Sequence, residues 1–416
     1  MKGFYRSFVL VSETIAVIAA LPSMASGSYL GLLTAMARPR RALVGDRSVR
    51  FAVVIPAHNE ALGIAETVGS VLALDYPAAQ RKVVVIADNC VDNTAQVAKD
   101  AGAEVVERFD DRRRSKGFAL SDVLPGILRD SWVDAIVIVD ADTVVQANLL
   151  SCFAAHFADG ALVVQADYAV ANPAQGWRTE LLDVAFTCFH EVRSLGRERL
   201  LLSSGLRGNG MGFTRQALER VPHAASSLVE DLEHGIALGN AGIRVVYAHD
   251  TKVWAEMPTD DDAAESQRRR WEHGRDLMRK QHGWALLNSA LRNHDRVRGD
   301  LAADVLLPPL STVARNNGVV AGAAIAVSLV KRRASWAMIP SAVGLTGLLF
   351  HVGTGWRRSS GGRRGLSNVP HYLRWKTGLT SGPEHADNAW VRTKRNAEIA
   401  ISKSQNVETS SGDRHD

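Results

Sequence analysis

Apolar positions along the chain fall into three regimes. The stretch from Phe8 to Ala37 is apolar apart from Glu13 and a few Ser and Thr, with Pro22 in its middle and the basic cluster Arg38 to Arg41 after it. That length and flank predict a membrane anchor. From Phe51 to about His249, short β-rich runs alternate with helical patterns, as in a βαβ sheet. Phe51 to Pro56 is the first run, and Ile64, Val68, Val71 and Leu72 then recur at helical spacing. Val83 to Ala87 is too continuous for a one-faced strand and predicts a central parallel one. Asp92 is placed to cap a short helix that Gly102 ends, and Glu104 to Val106 and Ala135 to Val139 follow as strands. Trp177 to Leu200 predicts one long helix, with Trp177, Cys188 and His190 as packing residues rather than ligands. Beyond Leu301 a proline pair precedes two apolar segments, Gly318 to Val330 and Trp336 to Val352. They predict two short membrane helices, the first cut to a marginal length by Arg315, Asn316 and Asn317, although a soluble helical hairpin fits the same lengths.

The anchor has a rival. Met24 to Gly27 offers small residues of the kind that end a signal peptide, but the stronger basic cluster follows the apolar run instead of preceding it, which favours an anchor. At 416 residues the chain has room for one large domain with appendages. The expected division is an anchor over 1–45, a catalytic α/β domain over 46–300, membrane-associated helices over 301–356 and a basic tail over 357–416, disordered beyond Lys403. No internal repeat is visible.

Charge adds little as a total and more as a pattern. A net +5 does not indicate nucleic-acid binding in a chain of this length. The clusters Arg38 to Arg41, Lys331 to Arg333 and Arg357 to Arg364 flank apolar stretches, which suggests a lipid bilayer as partner. Cys90, Cys152 and Cys188 show none of the close pairings of a zinc site or a disulfide scaffold, so a reducing compartment is expected.

The chemistry-bearing candidates begin with Asp140, Ala141 and Asp142, which follow a strand at the carboxyl edge of a parallel sheet, where open α/β folds bind ligands. Residues i and i+2 of an extended chain point the same way, so both carboxylates would face one ligand. Oxygen donors suit Mg2+ or Mn2+ on a diphosphate. An Asp-rich turn is the ordinary alternative for such a triplet taken alone. Gln267, Arg270 and Trp271 lie at i, i+3 and i+4 and so share one side of a helix starting after Asp260 to Asp262. Gly205, Gly208, Gly210 and Gly212 fit neither a Walker motif nor a dinucleotide fingerprint.

The first strand continues into Pro56, Ala57, His58, Asn59, Glu60, and the second into Asp88, Asn89, Cys90, Val91, Asp92, Asn93, Thr94. With Lys116-Gly117, the acidic triplet, Gly208-Asn209-Gly210, Glu230-Asp231 and the run Gln267 to Trp271, these segments resemble the family 2 glycosyltransferases in order and approximate spacing, over roughly Phe51 to Arg275. The resemblance implies an inverting enzyme of the GT-A fold, a Rossmann-like mixed sheet flanked by helices, here with membrane helices at both ends.

It also implies roles. Ala57, Glu60 and Asp88 would surround the base and ribose of a nucleotide-sugar donor, and Lys116 would hold its diphosphate. Asp140 would approach the ribose or diphosphate, and Asp142, with Asp140, the metal. Asp231 would be the catalytic base, with Glu230, Gly208, Asn209 and Gly210 on the acceptor side. Arg270 would grip the diphosphate, while Gln267 and Trp271 would meet the acceptor sugar. Arg268 and Arg269 are expected against lipid headgroups. Two departures from the family pattern stand out: Asn89-Cys90 where a second acidic or small residue is common, and Val229 where Thr is frequent.

A Rossmann-type oxidoreductase or nucleotide-binding module fails because Pro56, Ala57, His58 and Asn59 replace the glycine-rich turn it needs. Between transferases, the motif Gln267 to Trp271 and the tail residues Pro370, Tyr372, Trp375, Trp390, Val391 and Arg392 resemble exopolysaccharide enzymes more than polyprenyl-phosphate sugar synthases, which remain the alternative. The expected acceptor is a growing polysaccharide or lipid-linked glycan, with polysaccharide export proteins as further partners. The expected location is a bacterial-type inner membrane, multi-pass, with the catalytic domain in the cytoplasm. That orientation puts Lys331 to Arg333 on the far side, against the positive-inside rule.

Overall fold

The computed structural model describes residues 2–45, 47–360 and 363–379. Its strands are β1 (Phe51–Ala57), β2 (Arg81–Asp88), β3 (Glu104–Arg108), β4 (Ala135–Ile138), β5 (Thr143–Val145), β6 (Val163–Val170), β7 (Met211–Thr214) and β8 (Val245–Ala255). Its helices are α1 (Lys2–Met36), α2 (Ile64–Leu72), α3 (Thr94–Asp100), α4 (Lys116–Leu128), α5 (Leu149–Ala158), α6 (Trp177–Phe186), α7 (Arg193–Arg199), α8 (Arg215–Arg220), α9 (Glu230–Asn240), α10 (Asp261–Asn293), α11 (Arg296–Leu306), α12 (Leu310–Lys331), α13 (Met338–Arg358) and α14 (Val369–Leu379). The chain divides into two compact units. One takes the described residues up to Arg40, Val184–Ser204 and His282–Ser360; the other takes Arg41–Asp183, Gly205–Gln281 and the described residues from 363 on.

The second unit is built on one mixed sheet of order β3-β2-β1-β4-β7-β6-β8-β5. β1 pairs in parallel with β2 and with β4, and β2 with β3, so the expected parallel run is present. Beyond it β7 is antiparallel to β4 and to β6, β8 is parallel to β6, and β5 is antiparallel to β8. The carboxyl ends of β1, β2, β4 and β6 therefore share one edge. Alternate residues of β1 serve opposite faces of the sheet: Phe51, Val53 and Ile55 pack with α2 and α5 residues such as Val68 and Phe153. Ala52 and Val54 pack with Leu120 and Leu124 of α4. The α/β class and the helix-flanked mixed sheet expected from the motifs are thus present, as are the apolar terminal helices.

Details differ from the sequence expectation. Asp92 does not sit at the cap position of α3, which is Asn93. It instead accepts from the backbone of Thr94 at 3.0 Å and of Ala61 at 3.2 Å, closing a turn ahead of the helix. The helix over 177–199 is continuous but widens into a π-helical turn at Thr187–Val192. Cys188 and His190 within that turn are buried, in keeping with packing roles.

In the first unit, three helices are long and apolar enough to cross a membrane: Val9–Met36, Leu310–Lys331 and Met338–Arg358. The expected truncation by Arg315, Asn316 and Asn317 does not occur, because α12 runs through them to Leu310. Asn317 is fully buried and returns its side-chain N–H to the Val313 carbonyl at 2.9 Å, so the donating half of its amide is met inside the helix. The basic end of α12 is also answered locally: Lys331 is ion-paired with Glu13, which accepts a further bond from the Trp336 amide at 2.8 Å. Arg197 of α7 is buried among Asp300 at 2.9 Å, Asp304 at 2.8 Å and the Tyr29 hydroxyl at 2.7 Å. This network ties α1, α7 and α11 together.

Candidate active site

Three loops converge at the shared sheet edge. The turns after β1 and β2 are stitched to each other: His58 Nδ1 lies 2.7 Å from the Asp88 carbonyl, and the Val91 amide donates to Asn59 Oδ1 at 2.8 Å. Both Asn59 and Asn89 take left-handed backbone, with φ of 55° and 51°, which asparagine tolerates better than most residues. That is the physical use of Asn89 at the first departure from the family pattern, and its side-chain oxygen also accepts from the Asp110 amide at 2.8 Å. The stitching sets Ala57, buried at the end of β1, near Glu60, whose amide donates to Thr94 Oγ1 at 2.7 Å.

Asp88 closes β2 as a buried carboxylate. One oxygen is engaged by Arg108 at 2.6 Å and by Asn89 Nδ2 at 3.1 Å. Arg108 also reaches Asp122 at 2.9 Å, so the expected base-recognition carboxylate is held in an ion network that the sequence did not reveal.

The triplet departs from the extended form its spacing suggested. β4 ends at Ile138, and Ala141 and Asp142 form a turn, so the two carboxylates have different surroundings. Asp142 is exposed, whereas Asp140 reaches inward to Lys116, 2.5 Å away. Expected against a diphosphate, Lys116 instead meets Asp140, the Gly208 carbonyl at 2.5 Å and Glu230 at 3.3 Å. An ammonium has three N–H donors and three acceptors surround this one. Burial pulls Lys116 down, but Asp140 and Glu230 outweigh it and hold the ammonium above the ordinary lysine value. For Asp140 the balance goes the other way: burial raises its carboxyl, and Lys116 only partly offsets it.

Asn209, expected on the acceptor side, is fully buried beneath the triplet. Its Oδ1 accepts from the Asp140 amide at 3.1 Å and its Nδ2 donates to Thr143 Oγ1 at 2.7 Å. Gly208 and Gly210 flank it with φ of 82° and 65°, a backbone that side chains disfavour. A Cβ on Gly208 would stand 3.5 Å from Asp231 Oδ2, which locates that carboxylate over the loop.

Asp231 lies in the first turn of α9 beside Glu230. Burial and then the neighbouring Glu230 raise its carboxyl from 3.8 to about 6, against the opposing pull of Lys116 and Arg207. A carboxylate in that range is ionised at neutral pH yet basic enough to take a proton from a hydroxyl. Arg270 sits in the same field. Burial lowers it, while Glu230, Asp140, Asp142 and Tyr168 favour its charge. Tyr168, absent from the sequence candidates, shares a hydrogen bond with Asn209, and burial, then Asp142 and Asp140, push its hydroxyl well up. Only its place on β6 brings it there, and no local motif marks it.

Gln267 and Trp271 line a small cavity with Arg178, Pro258, Arg268 and Tyr372, of about 30 Å³. That is room for a water rather than a sugar ring. Arg268 and Arg269, expected at lipid headgroups, are engaged inside the unit: Arg268 donates to the Tyr372 hydroxyl at 2.7 Å and Arg269 pairs with Glu265 at 2.6 Å. Lys376 of α14 meets Glu272 at 2.7 Å, so the segment carrying Pro370 and Tyr372 packs on α10. Trp390, Val391 and Arg392, and the tail beyond Lys403, lie outside the described residues.

The donor set at the triplet is oxygen-only, and its carboxylates are close enough to raise the Tyr168 hydroxyl together. With Asp142 exposed, these residues fit a hard divalent ion such as Mg2+ or Mn2+.

Residues 49–274, just over half the chain, match the family model described as "Glycosyltransferase like family 2". Among curated proteins, the chain is 24% identical over 234 residues to the probable glycosyltransferase YdaM of Bacillus subtilis strain 168, covering 54% of this chain and 55% of that protein. It is 28% identical over 250 residues to the beta-monoglucosyldiacylglycerol synthase of Synechocystis sp. PCC 6803, covering 56% and 50%. The chain thus spans about half the length of these relatives. Among solved structures, a mannosyltransferase from Pyrobaculum calidifontis in complex with GDP-Man and Mn2+ aligns over 82% of this chain and 99% of its own, at 18% identity and a TM-score of 0.49.

Proposed function

The chain belongs to glycosyltransferase family 2, and from that premise we propose that it moves a sugar, with inversion, from a nucleotide-sugar donor, a UDP-sugar, to a hydroxyl of a growing polysaccharide or lipid-linked glycan. The observation that carries this reading is the setting of Asp231, a carboxylate raised to about 6 beside the Gly208 loop that shares the field of the Lys116 ammonium with Asp140.

In the proposed reaction Asp231 takes the acceptor hydroxyl proton while that oxygen attacks the anomeric carbon from the face opposite the diphosphate. The new glycosidic C–O bond forms as the bond from C1 to the phosphate oxygen breaks, and the electron pair leaves with the nucleoside diphosphate. Asp140 and Asp142 would hold Mg2+ or Mn2+, which supplies Lewis-acid neutralisation of the diphosphate. Arg270 would add a guanidinium fork to the same phosphates. Ala57, Glu60 and Asp88 would bracket the base and ribose. Lys116 would act through Asp140 and Glu230, fixing where their charge stands. Trp271 and Gln267 would meet the acceptor once their cavity widens.

The proposed setting is a bacterial-type inner membrane, crossed by the three apolar helices, with the catalytic segment on the cytoplasmic side where sugar nucleotides are made. Pairing of Lys331 with Glu13 supports it, since it neutralises one charge of the cluster that otherwise opposes this orientation. The domain limits of 46–300 for catalysis and 301–356 for membrane helices belong to the same proposal. A second reading, transfer to a diacylglycerol-type lipid, is favoured by the name of the Synechocystis relative.

A donor screen in membranes tests the proposal, using wild type and Asp231→Asn, added Mn2+, and labelled product both sized on a gel and partitioned into organic solvent. Asp231-dependent polymer supports the first reading and an extractable glycolipid the second. Absence of any Asp231-dependent transfer across the donors overturns both.

A further inference from the structure

On the flank of the sheet, Cys152 and His156 occupy successive turns of α5, at i and i+4, and so share one face of it. Opposite them β8 carries an irregularity. Its register with β6 jumps from Ala166↔Ala248 to Asp167↔Lys252, leaving His249, Asp250 and Thr251 without strand partners. Such bulges re-aim side chains, and this one turns Asp250 onto α5. Cys152 Sγ lies 2.9 Å from Asp250 Oδ1, and His156 Nε2 lies 3.9 Å from the same oxygen. Among the described residues this is the one group of three such side chains whose ligand atoms all fall within 4.8 Å of one another.

Two further observations point to a ligand. His156 Nε2 is buried and makes no hydrogen bond. Asn148, one turn before Cys152 on the same face, donates its Nδ2 to the Asp250 carbonyl at 2.9 Å and leaves a buried Oδ1 without a hydrogen-bond partner. A tetrahedral ion at about 2.0–2.3 Å from its ligands spaces them by roughly 3.5 Å, between the two separations observed. Sulfur, nitrogen and oxygen donors together select a borderline-soft ion, unlike the oxygen-only triplet. With side chains of His156 and Asp250 12% and 19% exposed, the cluster is also open enough for an ion to enter.

We propose that Cys152, His156 and Asp250 form a Zn2+ site that pins α5 to the bulge of β8. The site is independent of the transfer chemistry. β8 is the strand that leads through Met257 and Pro258 into α10, so the ion would steady the approach to Arg270 from outside the reaction centre.

Full-length protein purified in detergent without chelator is analysed for bound zinc, then stripped and titrated with Co2+. The expected result is one zinc retained per chain and a near-ultraviolet thiolate-to-cobalt absorption. Both should be lost in Cys152→Ser, while His156→Gln and Asp250→Asn, which keep side-chain bulk, should lower the zinc content and shift the visible cobalt bands. Asp142→Ala, at the triplet, should retain zinc and spectrum alike. Wild type with no zinc above background and no thiolate band, or a band that survives in Cys152→Ser, overturns the proposal.

Discussion

Lys116 and Asp140 face each other at 2.5 Å, and the same ammonium reaches Glu230 at 3.3 Å, so one cation holds the carboxylate that follows β4 and the one that opens α9. Removing that cation leaves both in a largely buried place with Arg270 as a remaining nearby cation. Lys116→Met is expected to cost about 3–5 kcal/mol of stability, the range for breaking one partner out of a buried pair. Thermal denaturation should show the loss. Sugar transfer should fall with it even at temperatures where the variant stays folded, and unchanged turnover would contradict the positioning role.

In the proposed transfer Asp231 would tie rate to pH. Its carboxyl is raised to about 6, so the base is lost as pH falls through that value. The proposed transfer should show an acid limb near pH 6 in kcat/KM, and Glu230→Gln should move that limb downward, because Glu230 is one cause of the shift. Asp231→Asn should reduce turnover by roughly 10²–10⁴-fold. The stability sign is opposite. A carboxyl whose folded value lies above its ordinary one contributes stability below about pH 4, which is lost as pH rises through 6. Asp231→Asn should therefore melt higher than wild type at neutral pH.

The two triplet carboxylates should separate when mutated. Asp142 is exposed, so Asp142→Ala should change stability by no more than about 0.5 kcal/mol while raising the Mn2+ concentration needed for transfer. Asp140→Ala removes the partner of Lys116 and should lower the melting temperature as well. Parallel melting curves and Mn2+ titrations distinguish them, and equal melting losses would contradict the different surroundings described.

Gly208→Ala places a side chain at a φ of 82°, which costs about 1–2 kcal/mol, and points it toward Asp231 Oδ2. Thermal denaturation should show the loss; at 3.5 Å the methyl only touches Asp231 Oδ2, so the proposed transfer should fall less than in Asp231→Asn.

What the sequence made legible was local. The apolar runs of β1 and β2, the helical spacing of α2 and the length of α1 are each written within one window, and each is present. Partners distant in sequence were not legible. Lys116 is joined to Gly208 across 92 positions, and its three acceptors come together only once the end of β4, the loop before β7 and α9 are folded against α4. Tyr168 belongs to a strand with no motif of its own and enters the site through sheet order alone. The reading of the triplet as extended failed at the end of β4, where the chain has to turn toward the edge strand β5. The reading of α12 as short failed because buried Asn317 returns its side-chain N–H to the Val313 carbonyl within the helix, which composition does not disclose.

Asn209 gives the loop a direction. Its amide has one end that only accepts and one that only donates, and the first takes the Asp140 N–H while the second meets Thr143 Oγ1. The side chain therefore works as a keyed latch across the triplet. Aspartate has the same shape but no donating end, and would face Asp140 with a third negative charge; leucine has neither end. The course of the triplet is thus held by an uncharged residue 67 places further along the chain than Asp142, between two glycines whose spacing fits no phosphate-loop motif.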